Sequence, residues 1–313
     1  MSAIFQSTVA HTLKKILLSI VMDSSDGIEA PHSTTNPNGM YLKHWMHEAD
    51  MPDAFMDDLE IGGPGLAKEV SEGGELPSGT ITEGIVTRYL ARKFGLKLQI
   101  TEEAMEDNKY PESIKLAKHN KRALFKTADI DATNILVRGW NSSFVGGDNV
   151  SLFNASHTLP NGGTFSNTMS VPMTPSRAAF IVATTAMRKL PGHDGVTQGY
   201  EPTGVICPVD QWAVWRGLTG SSHAPEPGEF NEINVIPDFD LKVTAIPYWS
   251  NTTTNYAFTT VVNDEGEGAK FLWRRRADSR NWVENSQEIM SHSISARWAR
   301  GWTDARGLFG VQA

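Results

Sequence analysis

Apolar residues recur every three or four positions between Pro111 and Arg138, and this spacing predicts one long helix that Gly139 ends. At 1.5 Å per residue, its 28 residues would span about 42 Å. The members of the apolar stripe are Ile114, Ala117, Leu124, Ala128, Ala132 and Ile135. A helix of this length is typical of a domain's structural spine, and we refer to it as the spine helix.

Two β-rich runs precede the spine helix and predict a long hairpin. The first run combines Leu59–Ile61 with Leu66–Val70, and the second covers Ile85–Ile100. Between them, Ser71–Thr80 is rich in Gly, Pro and Ser and predicts a polar tip. Charged residues are spread along the hairpin and leave its apolar content sparse: Lys68, Glu69, Glu72, Glu75, Arg88, Arg92 and Lys93. Because a two-stranded ribbon is marginally stable alone in water, we expect it to lie on another chain.

The N-terminal segment has its own pattern. Apolar residues at helical spacing over residues 3–22 predict an amphipathic arm helix. Lys14-Lys15 before the apolar run 16–22 also resembles a signal peptide, but Asp23 follows and no small-residue cleavage site is present. Residues 24–39 are rich in Ser, Thr, Asn and Pro and read as a linker, so residues 1–40 form an arm that needs a partner surface.

A second α/β unit is predicted after a Gly-rich hairpin at 145–167. Its elements are a helix begun by Thr174-Pro175 and ending at Leu190, a strand over Gly204–Pro208, a helix over Val209–Gly217, and strands over 232–236, 241–246 and 256–262. A short helix over 101–108 precedes the spine helix, and the last 40 residues return to β-like alternation. The predicted fold class is therefore α+β.

Composition excludes several classes of protein. With 28 Lys and Arg against 36 Asp and Glu, the net charge is −8, so the chain lacks the positive field of a dedicated nucleic-acid binder. Cys207 is the only cysteine, which excludes an internal disulfide, a CxxC motif and a thiolate zinc site. No apolar run approaches the length that crosses a bilayer.

The sequence contains no complete catalytic or metal-binding motif among those considered. His47-Glu48 begins like a zinc-protease helix, but Met51 stands where the second ligand is needed. The pair His44 and His47 remains as an alternative metal site. The carboxylate pairs Asp129/Asp131 and Asp238/Asp240 are predicted to lie in turns or on solvated helix positions, whereas acid–base catalysis needs a carboxyl in a pocket. We therefore expect no catalytic residue, cofactor or metal.

Aromatic residues offer one further alternative. Nine tryptophans suit a glycan platform, because indoles stack on sugar rings. Trp212 and Trp215 share a helix, and Trp298 and Trp302 lie in a segment that looks paired, so core or subunit contact is the favoured interpretation.

Basic residues cluster on and just before the spine helix, with Glu112 as the only counter-charge: Lys109, Lys115, Lys118, Lys121, Arg122 and Lys126. This cluster is either a solvated face or a basic surface for phosphates or an acidic partner.

The order of arm, charged hairpin, spine helix, α/β unit and final β segment, together with four phrases, resembles the tailed-bacteriophage major capsid protein family. The phrases are Ala67-Lys-Glu-Val-Ser-Glu-Gly-Gly-Glu75, Leu98-Gln-Ile-Thr-Glu-Glu-Ala-Met-Glu-Asp-Asn108, Leu152-Phe-Asn-Ala-Ser-His157 with Ser166-Asn167, and Gly301-Trp-Thr-Asp-Ala-Arg-Gly307. The likeness covers most of the chain from about residue 40 onward.

The resemblance implies the α+β tailed-phage major capsid protein fold and a set of domain boundaries. These are an N-terminal arm at 1–40, a peripheral domain at 41–57 and 98–171 with the spine helix at 111–138, an extended loop at 58–97, an axial domain at 172–280, and a return to the peripheral domain at 281–313.

The resemblance also implies a function without enzymatic activity. The chain would assemble in the host cytoplasm into pentamers and hexamers of an icosahedral head enclosing double-stranded DNA, and would reside in the virion. The extended loop would contact a neighbouring subunit through Lys68, Glu69, Glu72, Glu75, Arg88 and Arg92, and the basic cluster would face the interior. Partners would be other copies, a portal at one vertex, packaged DNA through non-specific contacts, and a separate scaffolding protein, because no fused scaffold fits before residue 58; no membrane is expected.

Two alternatives remain at this point. An encapsulin-like nanocompartment shell shares the fold, and a glycan-binding protein or enzyme would use the tryptophans.

Overall fold

The computed structural model describes residues 15–16, 18–19, 28–33, 35–36, 38–63, 65–79, 83–101, 110–221, 233–249, 255–284 and 289–312. In the predicted arm helix, positions 15, 16, 18 and 19 are helical and the rest lies outside the described residues. The predicted short helix at 101–108 lies outside them except for Thr101, and Lys109 lies outside them altogether. In the described ranges, no helix is long and apolar enough to cross a membrane.

Besides the helical positions 15, 16, 18 and 19, the described secondary structure comprises twelve strands, four α-helices and four short 3-10 helices. In chain order the strands are β1 (His47–Asp50), β2 (Phe55–Ile61), β3 (Glu83–Leu90), β4 (Arg92–Thr101), β5 (His157–Thr158), β6 (Thr164–Phe165), β7 (Pro202–Pro208), β8 (Lys242–Ile246), β9 (Tyr256–Thr260), β10 (Ala269–Glu284), β11 (Ile289–Trp302) and β12 (Leu308–Val311). The helices are α1 (Tyr110–Val137), α2 (Arg177–Arg188), α3 (Trp212–Gly220) and α4 (Val261–Asp264).

The spine helix α1 packs on a four-stranded sheet of order β1-β10-β11-β4. Strand β1 is parallel to β10, and the other neighbours are antiparallel. The apolar stripe of α1 from Leu124 to Ile135 is buried in one core with aromatic residues of the sheet, among them Phe271, Trp273 and Trp298. The predicted spine helix is confirmed to within one residue at each end, because its 3.6-residue period coincides with one buried face.

A second sheet of order β12-β9-β7-β8 packs with α2 and α3 around a separate core. Ser176 caps α2, its hydroxyl oxygen accepting a hydrogen bond from the Ala179 amide at 3.1 Å. Cys207 lies in β7 and is fully buried, and desolvation raises its pKa to about 12, so the thiol stays protonated at neutral pH.

The predicted hairpin forms, but only β2 and β3 pair in it. The second run breaks at Ala91, whose amide bonds the Ala54 carbonyl, and β4 continues into the central sheet, where Arg92 stands opposite Trp298. Residues 66–70 form no strand. Arg92 therefore belongs to the sheet and not to the hairpin.

Other expectations are wrong in detail. The linker prediction for 24–39 is wrong at Ile28, which is buried in the core, and at Pro31, which bridges to the buried Met40 just after the linker. No strand forms over the described part of 232–236, where the Asn234 side-chain amide holds the carbonyls that end α3. Helix α3 also runs past Gly217, which has open space beside it, to Gly220.

Candidate functional site

The β2/β3 hairpin has an inner side that combines polar groups with Met56 and Tyr89, and a partly apolar outer side. On β2 the exposed positions alternate with half-buried ones, as expected for a strand covered on one side. We refer to the exposed side as the outer face: its rows are the cross-strand pairs Phe55–Leu90, Asp57–Arg88 and Leu59–Val86. The expectation of sparse apolar content is wrong for this face, because two apolar pairs flank a single ion pair.

The outer ion pair is solvent-exposed. Arg88 donates through Nε and Nη2 to the two carboxylate oxygens of Asp57, each at 2.6 Å. The hydrogen bond from Arg88 lowers the pKa of Asp57, and the carboxylate raises the pKa of Arg88. An exposed pair of this kind contributes little to stability, so it serves better to set register or to meet a partner.

The inner side of the hairpin is bound to its own chain. Asp58 accepts from the Lys270 ammonium and from the Thr303 hydroxyl. The Tyr89 hydroxyl lies 2.8 Å from the same Thr303 hydroxyl, and burial raises the pKa of Tyr89. These contacts tie both hairpin strands to β10 and to the turn after β11.

Glu60, His193, Asp304 and Arg306 form a buried group that we refer to as the anchor cluster. Arg306 is fully buried and donates through Nε to both Asp304 carboxylate oxygens, at 2.9 and 3.0 Å, and through Nη2 to Glu60; His193 Nε2 lies 2.6 Å from the same Nη2. The His193 ring nitrogen also lies 2.5 Å from Glu60. The cluster joins the end of β2, the loop after α2 and the turn before β12.

Electrostatics favour the charged forms of Glu60 and Arg306. Burial opposes ionisation of Glu60, but the hydrogen bond with His193 and the charge of Arg306 hold its pKa below the usual value. Burial likewise opposes the charge of Arg306, and the Asp304 and Glu60 carboxylates raise its pKa. Glu60, His193 and Asp304 lie close enough to ligate a metal, yet the guanidinium already supplies the cation among them. The donor set therefore fits arginine, and removing that arginine would leave two buried carboxylates without compensation.

Two of the sequence phrases, 152–157 with 166–167 and 301–307, are hydrogen-bonded to each other next to the anchor cluster. The Asn167 side-chain amide donates to the carbonyls of Leu152, Ala305 and Leu308 at 2.7, 2.9 and 3.2 Å. His157 holds the Asn167 side-chain oxygen at 3.1 Å and pairs with Asp148 at 2.5 Å. These hydrogen bonds fix the turn that carries Arg306, and Arg306 in turn binds the hairpin at Glu60. The positions of the phrases in the sequence do not reveal this role.

The hairpin tip, residues 65–79, contrasts with the base. It contains Lys68, Glu69, Glu72 and Glu75, all exposed, and no strand. Leu66 and Leu76 are 73% and 81% exposed, which is unusual for large apolar side chains. The structure therefore places four of the six predicted loop residues on a segment that its own chain leaves uncovered, and Arg88 on the outer face.

The basic cluster on the spine helix is smaller than predicted. Lys115, Lys118, Arg122 and Lys126 are exposed along one side of α1, and we refer to them as the basic stripe. Lys121 is 1% exposed and does not belong to it. The physical reason is spacing: Lys121 stands four residues after Ala117 and three before Leu124, which puts it on the buried face.

The expectation that Asp129 and Asp131 are solvated is also wrong. Asp129 is buried and accepts from the Leu42 amide at 3.0 Å, and burial raises its pKa to about 6 despite that hydrogen bond. Asp131 accepts from the Trp298 indole at 3.0 Å and pairs with Arg300 at 2.8 Å. Both residues join α1 to other elements.

The alternative metal and glycan sites receive no support from the geometry. His44 ends a short 3-10 helix while His47 lies in β1, so the two histidines share no helix face. Trp215 and Trp298 are buried in the two cores, and Trp212 is half exposed on α3. The tryptophans described here do not form a common platform.

Comparison with known proteins gives the wider setting of this arrangement. Residues 84–311 match the phage capsid protein family. A solved chain of Mycobacterium phage Bobi is similar over 92% of this chain and 96% of its own length, with a TM-score of 0.54 at 12% identity. The capsid of an empty GTA particle is similar over 93% of this chain and 98% of its own, with a TM-score of 0.52 at 12% identity.

The capsid structure of Cyanophage P-SCSP1u is similar over 86% of this chain and 86% of its own, with a TM-score of 0.52 at 12% identity. At such identities the likeness shows a shared fold, and it confirms the α+β fold of tailed-phage capsid proteins. No curated protein matches the sequence. Because the family match covers more than half of the chain, the protein belongs to the phage capsid protein family.

Proposed function

We propose that this chain is the major capsid protein of a tailed-phage head, a structural protein and not an enzyme. Copies of it assemble into pentamers and hexamers that close into an icosahedral shell around double-stranded DNA. The observation that carries the proposal is the division of the hairpin: its inner side is fixed by buried ion pairs, while its outer face and tip are uncovered. A projection fixed at its base and apolar on its free side suits a contact with a second copy.

The free side supplies enough area to favour such a contact. Phe55, Val86 and Leu90 are each more than half exposed, and Leu59 is 37% exposed. Fully burying one such side chain stabilises a contact by about 1.5–3 kcal/mol. When each copy offers one hairpin and receives one, the contacts are head-to-tail, and they generate a ring where the rotation between copies closes.

The basic stripe supports an inward-facing surface. Lys115, Lys118, Arg122 and Lys126 follow one another at helical spacing, and like charges at that spacing repel by a few tenths of a kcal/mol per pair. Packaged DNA or an acidic segment of a separate scaffolding protein would relieve this repulsion through sequence-independent, salt-dependent contacts. In this proposal the shell also receives a portal at one vertex, is assembled in the host cytoplasm and forms the capsid of the virion.

Sedimentation and negative-stain microscopy test the proposal, with and without a co-expressed scaffolding protein. We expect rings and closed shells for the natural chain and for Leu59→Met, which keeps the apolar area. We expect Leu59→Asp to remain unassembled while its folded subunit melts at an unchanged temperature. If the natural chain sediments only as the compact 34.4 kDa monomer in both conditions, the proposal is wrong.

Charge reversal tests the inward surface separately. Replacing Lys115, Lys118 and Arg122 by Glu should reduce scaffold-dependent assembly or retained DNA, and most strongly at low salt, where screening is weakest. The matched control reverses three exposed cations beside the second sheet: Lys189 after α2, Arg216 in α3 and Lys242 in β8. Equal loss in both triple variants, or in neither, would contradict a special role for the basic stripe.

A further inference from the structure

A groove of about 570 Å³ lies between β3, the C-terminal end of α1, the loop at 143–149 and the end of β11. Clefts of this volume receive small organic ligands. Val86, Phe144 and Val145 are exposed where they line the groove, and Trp302 is half-buried in its wall. The groove therefore offers apolar surface to an organic body.

The charged side chains that line the groove are all positive. They are Arg88, Arg138 and Arg300, and no Asp or Glu is among the described lining residues. Arg88 pairs with Asp57, and Arg300 pairs through Nη2 with Asp131, but neither carboxylate belongs to the lining. An anion that enters the groove therefore meets guanidinium groups and no described carboxylate.

Arg138 is the cation that is best prepared to hold such an anion. Its guanidinium carbon lies 4.4 Å from the centroid of the Phe144 ring, and in the described part of the chain it has no carboxylate partner. Stacking engages the face of the guanidinium and leaves the N–H groups in its plane able to donate. A guanidinium held in this way binds two oxygens of a phosphate at once.

Two buried donors in the lining have no hydrogen-bond partner among the described residues. Thr87 is 8% exposed and its hydroxyl makes no hydrogen bond, and the buried Nε of Arg300 makes none either. Gly147 brings the loop close to β3 at this point, because a Cβ there would lie only 2.5 Å from the Thr87 hydroxyl oxygen. Leaving a buried donor unpaired is costly, so Thr87 and Arg300 favour a ligand that is rich in acceptor oxygens.

We propose that this groove binds a small phosphate monoester, whose phosphate is held by Arg138, Arg300 and the Thr87 hydroxyl. Such a phosphate carries nearly two negative charges at neutral pH and three strong acceptor oxygens, which suit guanidinium groups and an unpartnered hydroxyl. The organic part of the ester lies against Phe144 and Val145. Because β3 and α1 both line the groove, the ligand joins the hairpin to the end of the spine helix. All of these residues belong to one subunit, so the inference does not depend on shell assembly.

Isothermal titration calorimetry of the full, unassembled chain tests the site with benzyl phosphate, inorganic phosphate and benzyl alcohol. We expect saturable binding of benzyl phosphate, weaker binding of inorganic phosphate because it lacks the organic part, and no binding of benzyl alcohol. Benzyl phosphate should also raise the melting temperature, because a ligand that binds only the folded state stabilises it. Absence of saturable benzyl phosphate binding, or equal binding of either other probe, would overturn the inference.

Substitutions locate the binding site. Arg138→Met should weaken benzyl phosphate binding about tenfold or more, because hydrogen bonds to charged groups are strong. The matched control is Arg216→Met, an exposed arginine on α3 outside the groove, which should bind like the natural chain. Thr87→Val keeps the shape of the side chain and should weaken binding without lowering the melting temperature of the ligand-free chain. Equal affinity in the two arginine variants, or undiminished affinity in Thr87→Val, would contradict the assignment.

Discussion

The base and the tip of the β2/β3 hairpin differ in how they contact the rest of the subunit. At the base, alternate residues of β2 enter buried ion pairs with partners more than two hundred positions away, such as Glu60 with Arg306. At the tip, residues 71–79 are all exposed and include the carboxylates of Glu72 and Glu75. The comparison teaches that the base belongs to the subunit and the tip to the assembly, so substitutions in the two regions should separate stability from assembly.

The largest expected effect on subunit stability is at the base. Arg306→Met should lower the free energy of unfolding by about 3–5 kcal/mol, because Glu60 and Asp304 remain buried without their cation. The matched control is Arg188→Met, whose pair with Glu201 is half exposed and should cost about 0–1 kcal/mol. Denaturant unfolding of the unassembled subunit measures both, and equal effects would show that the anchor cluster does not hold the base.

Asp129 is a buried carboxylate whose contribution to folding stability should change with pH in the opposite direction from that of Glu60 at the hairpin base. Its pKa in the folded chain is raised to about 6 from 3.8, so the folded state binds the proton more tightly and the ionised form is penalised as pH rises through this range. Relative to the natural chain, Asp129→Asn should therefore gain about 3 kcal/mol of stability between pH 3.5 and pH 7. A stability difference that stays constant across these pH values would contradict the burial of an uncompensated carboxylate.

Glu60 at the base should show the reverse dependence. Its folded pKa is lowered from 4.5, so its contribution is present above pH 4.5 and is lost as pH falls through the lower folded value. Glu60→Gln should cost about 2 kcal/mol at pH 7 and almost nothing once the carboxyl is protonated in both states. Unfolding at a series of pH values checks this, and a cost that persists in acid would mean that packing, not charge, holds the base.

The smallest expected effect on the subunit is at the tip. Deleting Glu72–Ser78 should change the free energy of unfolding by less than about 0.5 kcal/mol, because exposed residues contribute little to a core. Particle yield should nevertheless fall, since contacts with the neighbour are lost. Replacing the same residues by Gly and Ser keeps the length and isolates the chemistry. Unchanged yield in both variants would remove the tip from assembly.

The sequence predicts these regions unequally. The spine helix is predictable because a single buried face sets its period, and the same period, applied to Lys121, would have removed that lysine from the basic face. The division between β3 and β4 at Ala91 is not visible, because the β-rich run continues through it while the pairing partner changes from β2 to β11. The anchor cluster is hidden for a related reason: Glu60, His193 and Arg306 meet only through tertiary contacts.

Cryo-electron microscopy of particles assembled from the natural chain tests the central claim most directly. The account predicts closed shells of five- and six-membered rings in which every β2/β3 hairpin keeps its base on its own subunit, through Arg306, and lays its outer face and tip on an adjacent one. Shells in which the hairpin folds back on its own subunit, or preparations that contain no shells, would contradict it.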